Sequence, residues 1–172
     1  TDRQVRFIMF KGMYDLPWIK PLARILGAIP ISSDLRPREM LKSLHDASEL
    51  IRQGEVVCIF AEGQITRIGH MLPFRRGFER IMREVDAPII PVALDGVWGS
   101  IFSFEKGRFL WKLPRRIPYP VAINFGKPMP HTATPGAVRQ QVQELMAEAW
   151  QARKPGMTQL QRSFVRTARH HP

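Results

Sequence analysis

Apolar runs alternate along this chain with stretches whose apolar residues recur at helical spacing. Because they are short, rich in β-branched residues and bounded by glycine, proline or charged residues, each run predicts a strand. Strands that alternate with helices are typical of an α/β fold, with a mostly parallel central sheet flanked by helices. The runs are Val5–Phe10, Ala28–Ile31, Val56–Phe60, Ala87–Leu94 and Val121–Phe125.

The helical spacing predicts four helices, which begin near Leu16, Pro37, Phe74 and Pro135. The second is the clearest, because proline suits a first helical turn and Gly54 follows the end of its apolar stripe.

The first helical stretch carries Leu22, Ile25 and Leu26 on one face, followed by Gly27 as a stop signal. We expect this stretch, with Trp18 and Ile19 before it, to pack onto the sheet, and the alternative is that Trp18 and Ile19 contact a membrane.

The strand Val56–Phe60 is the element around which the other predictions are arranged. All five residues are apolar, so we expect the strand to be buried on both faces inside a parallel sheet. A helix over Phe74–Val85 and a further strand over Ala87–Leu94 follow it. A strand–helix–strand unit of this kind implies a right-handed crossover and a parallel pair.

This strand leads directly into Glu62, Gly63, Thr66 and Arg67. These residues therefore stand at the carboxyl end of a strand, where open α/β sheets bind their ligands. Glycine allows positive φ and close approach of a ligand, and arginine offers a planar fork that suits a phosphate. The loop indicates an anion site for a phosphate ester. The alternative is an ordinary turn in which the arginine pairs with the glutamate.

The net charge indicates an anionic partner. The 172 residues, enough for one domain, carry 26 Lys and Arg against 15 Asp and Glu, which gives a net charge of +11. Such a charge favours nucleic acid or an anionic membrane surface, and charge alone does not separate the two. The single cysteine, Cys58, lies in the predicted strand and has no cysteine with which to form an internal disulfide. No apolar run is long enough to predict a transmembrane helix.

The composition changes between Asp95 and Pro118, where aromatic residues alternate with basic ones. This pattern suits a membrane interface, a platform for single-stranded nucleic acid, or a β-hairpin whose aromatic side folds inward. From Pro155 onward the chain is polar and basic, so we predict a domain over 1–155 and a linker over 156–172. The candidate membrane contacts are Trp98, Phe102, Lys106, Arg108, Trp111 and Lys112.

Three blocks, in this order, resemble motifs of the glycerolipid acyltransferase superfamily of the lysophosphatidic-acid type. Gly27–Ile31 resembles its Gly-x-Ile-Pro block, and Phe60–Arg67 resembles its Phe-Pro-Glu-Gly-Thr-Arg block. Ala87–Val92 resembles its downstream block, which also contains proline.

The resemblance implies transfer of a fatty acyl group from an acyl thioester to a lysophospholipid at a membrane surface. Arg67 would bind the phosphate of the acceptor, and Glu62 would accept a hydrogen bond from an acceptor hydroxyl or position the arginine. Gly63 would let the backbone approach the substrate, and Thr66 would orient the loop. The co-substrate would be acyl-acyl-carrier protein or acyl-coenzyme A, with no bound cofactor and no metal.

The Glu-Gly-Gln-Ile-Thr variant of the block, with its longer loop, is most similar to one branch of this superfamily. That branch comprises the acyltransferase domains of bifunctional 2-acylglycerophosphoethanolamine acyltransferase/acyl-acyl-carrier-protein synthetases. The similarity implies a transporter-like region upstream, an adenylate-forming domain downstream, and a position at the cytoplasmic face of the inner membrane.

Two positions depart from the superfamily pattern. Ala61 stands where the superfamily has proline, and no His-x-x-x-x-Asp block is present, since none of the five histidines has aspartate five residues later. In the superfamily that histidine is the general base and the aspartate orients it. We therefore expect a chain that begins after its catalytic block, whose catalytic residues are unknown and which is inactive alone. The alternative is a non-catalytic, basic, nucleic-acid-binding α/β domain, which explains the charge and not the Glu-Gly loop.

Overall fold

The computed structural model describes residues 3–31, 37–100, 103–104, 107 and 120–153. The chain divides into two compact units. Unit 1 comprises Thr1–Thr66, His70–Ile89 and Pro128–Val138, and unit 2 comprises Arg67–Gly69, Ile90–Lys127 and Arg139–Pro172.

Unit 1 contains a parallel sheet of three strands, β1 (Val5–Phe10), β2 (Ile29–Ile31) and β3 (Val56–Cys58). The strand order is β2-β1-β3, so β1 pairs on both sides. Pro30 therefore lies on an edge strand, where its missing N–H is tolerated. The predicted α/β class with a parallel sheet is confirmed.

Four helices belong to unit 1, and the sheet packs mainly against the third. Leu44 and Ala47 of this helix form a buried cluster with Ile8, Ile29 and Ile81. The predicted apolar stripe of the second helical stretch therefore faces the core, as expected. The four helices are α1 (Lys11–Tyr14), α2 (Lys20–Ile25), α3 (Pro37–Arg52) and α4 (Gly77–Met82).

A buried hydroxyl joins α3 to α4. Ser48 Oγ donates to the carbonyl oxygen of Ile81, 2.9 Å away, and also lies 3.1 Å from the carbonyl oxygen of Leu44. Because a buried hydroxyl without a partner would be costly, this bond fixes how the two helices pack. The predicted helix Phe74–Val85 is confirmed in its existence and shorter in its extent.

The strand that leads into the Glu-Gly loop lies at an edge of the three-stranded sheet, and its burial was predicted wrongly. Val56 is 38% exposed and Phe60 is 60% exposed. The central position belongs to β1, which pairs with β2 on its other side. An apolar run indicates a strand, but it does not specify which strand of a sheet has two neighbours.

Unit 2 contains a two-stranded antiparallel pair, β4 (Val92–Asp95) and β5 (Ala122–Phe125). The prediction that the strand at 87–94 pairs in parallel with the strand before the loop is wrong for the described residues. There β4 pairs with β5, the next of the described strands, and an antiparallel pair requires only that the chain turn back.

The large apolar side chains of helix α2 are exposed, whereas the prediction had them packed onto the sheet. Trp18 is 64% exposed and Ile25 is 75% exposed, while Leu22 and Leu26 are exposed as well. The buried residue of the helix is Ala23. A small side chain therefore faces the protein and the large apolar ones face outward, whereas a helix on a soluble surface normally buries its apolar stripe.

The last predicted helix is confirmed as α5 (Pro135–Arg153). Thr134 caps it, because its Oγ1 accepts a hydrogen bond from the N–H of Ala137 at 3.3 Å. Val138 and Val142, which the helical spacing predicted to face inward, are buried.

A half-buried ion pair joins β1 to the residue before β3. Arg6 Nη2 donates to Glu55 Oε1 at 2.9 Å, and Arg6 Nε donates to the other carboxylate oxygen. The third nitrogen of the guanidinium lies against Gly27, where a Cβ would stand 1.5 Å from Arg6 Nη1. Gly27 has φ +59°, so it provides both the helix stop and the space for this guanidinium.

This ion pair predicts a loss of stability in acid. The hydrogen bonds from Arg6 hold the pKa of Glu55 below its ordinary value. The folded chain therefore binds fewer protons here than the unfolded chain, and the stabilisation is complete above the ordinary glutamate pKa. It is lost as the pH falls through the lowered pKa of the folded state. Urea unfolding at pH 7 and at pH ~3 should show a deficit for Glu55→Gln that shrinks in acid. A deficit that is equal at both pH values would contradict this assignment.

Candidate functional site

The residues after β3 form a tight turn. The N–H of Gly63 donates to the carbonyl oxygen of Phe60 at 2.9 Å, which closes a β-turn over residues 60–63. Gly63 has φ +65°, a conformation that favours glycine. Gly63 therefore has the positive φ that glycine allows, and the approach of a substrate to its backbone stays a prediction.

Glu62 closes the loop that follows this turn. Its Oε2 accepts a hydrogen bond from the backbone N–H of Leu72 at 2.7 Å, and its side chain is half-buried. A second bond, from the N–H of Arg75 to the carbonyl oxygen of Ala61 at 2.8 Å, joins the neighbouring residues of the same two segments. The loop over 62–72 is thus tied at its base. This use of the carboxylate was missed, although Pro73 favours extended backbone at Leu72 and so leaves that N–H available.

Arg75 is a further residue of the site that the sequence reasoning missed. The helical pattern assigned it to the polar side of a helix, but α4 begins two residues later, at Gly77. Its side chain lies across Gly63 instead, where a Cβ would stand 2.8 Å from Arg75 Cδ and 3.0 Å from Nε. The Glu-Gly turn therefore carries a guanidinium of its own within unit 1.

The segment 67–69 of unit 2 packs against two aromatic residues of the aromatic and basic stretch. The guanidinium of Arg67 lies over the ring of Phe104, with its Cζ 5.7 Å from the ring centroid. Gly69 has φ +77°, and a Cβ there would lie 2.9 Å from the Trp98 ring. A cation stacked on a ring face is held in orientation while its N–H edge stays accessible.

The remaining predicted site residues divide between the units. Thr66 is half-buried and, with Glu62 and Gly63, belongs to unit 1, whereas Arg67 and the exposed Trp98 belong to unit 2. Linker residues 156–172 and five candidate membrane contacts lie outside the described residues. Those five are Phe102, Lys106, Arg108, Trp111 and Lys112.

Two described histidines lie near carboxylates. His131 Nδ1 lies 3.2 Å from Asp86 Oδ1, and His45 Nε2 lies 3.8 Å from Glu49 Oε1 on α3. The adjacent Asp86 side chain is almost fully exposed, and both pairs lie on the surface of unit 1.

The single thiol lies on β3 itself. Cys58 is half-buried, and its burial raises the pKa of the thiol above the ordinary value. It therefore stays protonated at neutral pH and behaves as a small packing residue.

No cluster of three or more His, Cys, Asp or Glu side chains is placed to hold a metal ion in the part of the chain that the structure describes. None of the described helices combines the length and the apolar character needed to span a bilayer.

Comparison with known proteins assigns the family. Residues 1–95, more than half of the chain, match the family model described as Acyltransferase. The chain is 29% identical over 91 residues to a chloroplastic 1-acyl-sn-glycerol-3-phosphate acyltransferase of Brassica napus, covering 53% of this chain and 26% of that protein. It is 29% identical over 94 residues to a 1-acyl-sn-glycerol-3-phosphate acyltransferase of Limnanthes douglasii, covering 54% of this chain and 31% of that one.

The fold has a solved counterpart as well. The structure resembles the crystal structure of the 1-acyl-sn-glycerophosphate acyltransferase PlsC from Thermotoga maritima, with a TM-score of 0.57 at 15% identity. The match covers 92% of this chain and 70% of that chain. The matched stretch spans about a quarter to a third of the length of the two plant relatives. The chain belongs to the acyltransferase family, and its fold is that of a glycerolipid acyltransferase.

Proposed function

We propose that this chain is the acceptor-binding part of an enzyme that transfers a fatty acyl group to a lysophospholipid. The observation that carries the proposal is the Glu-Gly loop, which is folded around Glu62 in a chain of the acyltransferase family. A loop tied at its base presents a fixed set of groups to a ligand, and fixed geometry is what a transfer reaction requires.

The chemistry assigned to the enzyme is an ester exchange at a thioester. The acceptor hydroxyl oxygen attacks the thioester carbonyl carbon and forms the new ester C–O bond. The C–S bond breaks, and the hydroxyl proton leaves with the thiol of the carrier, so no oxidant, reductant or metal is consumed. We assign the base that takes this proton to a residue outside the Glu-Gly loop, because no histidine of the sequence matches the superfamily's His-x-x-x-x-Asp block.

Within this assignment, Arg67 binds the phosphate of the acceptor. Its guanidinium is held over the Phe104 ring, which orients the fork and leaves its edge for a ligand. The two relatives described above are named as acyltransferases of 1-acyl-sn-glycerol 3-phosphate, which is a phosphate-bearing acceptor. The acyl donor is carried on acyl carrier protein or on coenzyme A.

The membrane surface is the assigned location, at the cytoplasmic face of the inner membrane. A net charge of +11 favours anionic lipid, with each basic residue near the surface contributing on the order of 1 kcal/mol. Sedimentation with anionic vesicles in competition with single-stranded DNA tests this location. Binding to vesicles should persist in the presence of DNA, and a preference for DNA would favour a nucleic-acid-binding domain instead.

The experiment that tests the reaction is labelled acyl transfer to lysophosphatidylethanolamine and to lysophosphatidic acid. The protein as its gene encodes it should be active, and Arg67→Ala should lower kcat/KM by roughly 10- to 100-fold, the loss expected for one charged hydrogen bond. Arg139→Ala removes the same charge from α5 and serves as the matched control. Transfer by the 172-residue chain alone at the full rate would show that the base lies within it. No transfer to either acceptor would contradict the proposed function.

A further inference from the structure

We propose that Arg75 and the Gly63 turn form a phosphate-binding subsite, in which Arg75 contacts the phosphate of the acceptor. This inference rests on the proposed function and adds to it a residue and a ligand group. The motif that resembles the superfamily ends at Arg67, and Arg75 lies outside it.

The position of Arg75 follows from a backbone hydrogen bond and from the space beside Gly63. Its backbone N–H is bonded to the carbonyl oxygen of Ala61, the residue before Glu62, at 2.8 Å. Its side chain then crosses Gly63, whose missing side chain leaves room for Arg75 Cδ and Nε. A residue with a Cβ at this turn would displace the guanidinium. Glycine at this position therefore leaves room for the arginine side chain and also allows the positive φ of the turn.

The guanidinium of Arg75 forms no ion pair within 4.0 Å in the part of the chain that the structure describes. Ion pairs within 4.0 Å are found there for Arg6 with Glu55 and for Arg52 with Glu49 and Glu84. No such pair involves Arg75, which is exposed, and the nearby Glu62 carboxylate accepts the N–H of Leu72. An exposed guanidinium without an ion-pair partner of its own is suited to an external anion.

The chemistry of this fork favours a phosphate monoester over a carboxylate or a neutral head group. A guanidinium presents parallel N–H donors that match two oxygens of a carboxylate or of a phosphate, and a phosphate monoester is favoured because a dianion attracts the cation more strongly than a monoanion does. The subsite therefore selects acceptors with a terminal phosphate, such as lysophosphatidic acid.

Three single variants test the subsite, with Arg76 as the matched control. Arg76 is the next residue, carries the same charge, and its side chain is 91% exposed. We expect Arg75→Ala to raise KM for lysophosphatidic acid by roughly 10- to 100-fold, as for one charged hydrogen bond. KM for the acyl donor should not change, and neither should transfer to monoacylglycerol, which lacks a phosphate. Arg75→Lys should fall between Arg75→Ala and the wild type, and Arg76→Ala should equal the wild type.

Equilibrium binding separates this inference from the proposed function. Binding of lysophosphatidic acid in neutral detergent micelles, with monoacylglycerol as the comparison, is measured by calorimetry and requires no catalysis. A preference for lysophosphatidic acid that is lost in Arg75→Ala and kept in Arg76→Ala supports the subsite, even in a protein that transfers no acyl group. Equal losses in the two variants, or no preference in the wild type, would overturn it.

A double-variant cycle tests the part assigned to Gly63. If Gly63→Ala acts by displacing Arg75, it should raise KM for lysophosphatidic acid in the wild type and have no further effect in the Arg75→Ala background. Additive effects would mean that Gly63 acts independently of Arg75, through its positive φ or through the approach of the ligand to the backbone, and would remove it from the subsite.

Discussion

Replacing Gly27 with alanine should destabilise the chain by roughly 2–4 kcal/mol. The backbone there has φ +59°, which a residue with a side chain adopts at a cost of about 1–2 kcal/mol. The added Cβ would also stand 1.5 Å from Arg6 Nη1, so the guanidinium would have to leave its place and its bonds to Glu55. Urea unfolding of the purified variant measures the change.

Gly54 provides the control for this prediction. It also has positive φ, at +88°, yet nothing lies within 4 Å of the Cβ that alanine would add. Gly54→Ala should therefore show only the backbone cost of about 1–2 kcal/mol. Equal losses of stability for the two variants would mean that the space beside Arg6 has no energetic importance.

Removing the carboxylate of Glu62 should have the largest effect on activity. Its hydrogen bond from the Leu72 N–H is charge-assisted and half-buried, and such bonds contribute about 1.5–3 kcal/mol. In Glu62→Ala the loop loses this tie, so acyl transfer should fall at least roughly 100-fold if loop geometry and substrate contact are both lost. Amide exchange of Leu72, followed by NMR, should become faster by a similar factor.

The Glu62→Gln variant separates the effect of the hydrogen bond to Leu72 from the effect of the negative charge of Glu62. The amide oxygen of glutamine can still accept from Leu72, so amide exchange should stay slow, and any loss of activity then reports on the negative charge. Glu148→Ala on the exposed side of α5 is the control for net charge. Fast exchange in Glu62→Gln would show that the carboxylate itself is needed to close the loop.

The sequence predicted those features that depend on local pattern. Helix α3 was predicted with its stripe and its stop, because apolar spacing and glycine act within a few residues. The Glu-Gly turn was also predicted, since positive φ at Gly63 is a local property of glycine.

Features that depend on distant neighbours were not predicted. Whether β3 is central or at an edge depends on where β2 adds to β1, and the partner of β4 depends on a strand that follows it by many residues. The position of Arg75 depends on the length of the loop that Glu62 closes, and the residue types in the sequence do not determine that length. The exposure of the apolar face of α2 was not predicted. Periodicity shows that a helix has an apolar face, but it does not show whether another part of the protein covers that face.

The reactivity of the thiol on β3 can report on the exposure of that strand. Cys58 is the only cysteine, so an alkylating reagent labels a single position, two residues before the turn that begins at Phe60. Its raised pKa and partial burial make the reaction slow while β3 stays in place. The labelling rate therefore depends on how exposed this edge strand is, and a ligand that holds the Glu-Gly loop closed should slow the labelling without touching the sulfur.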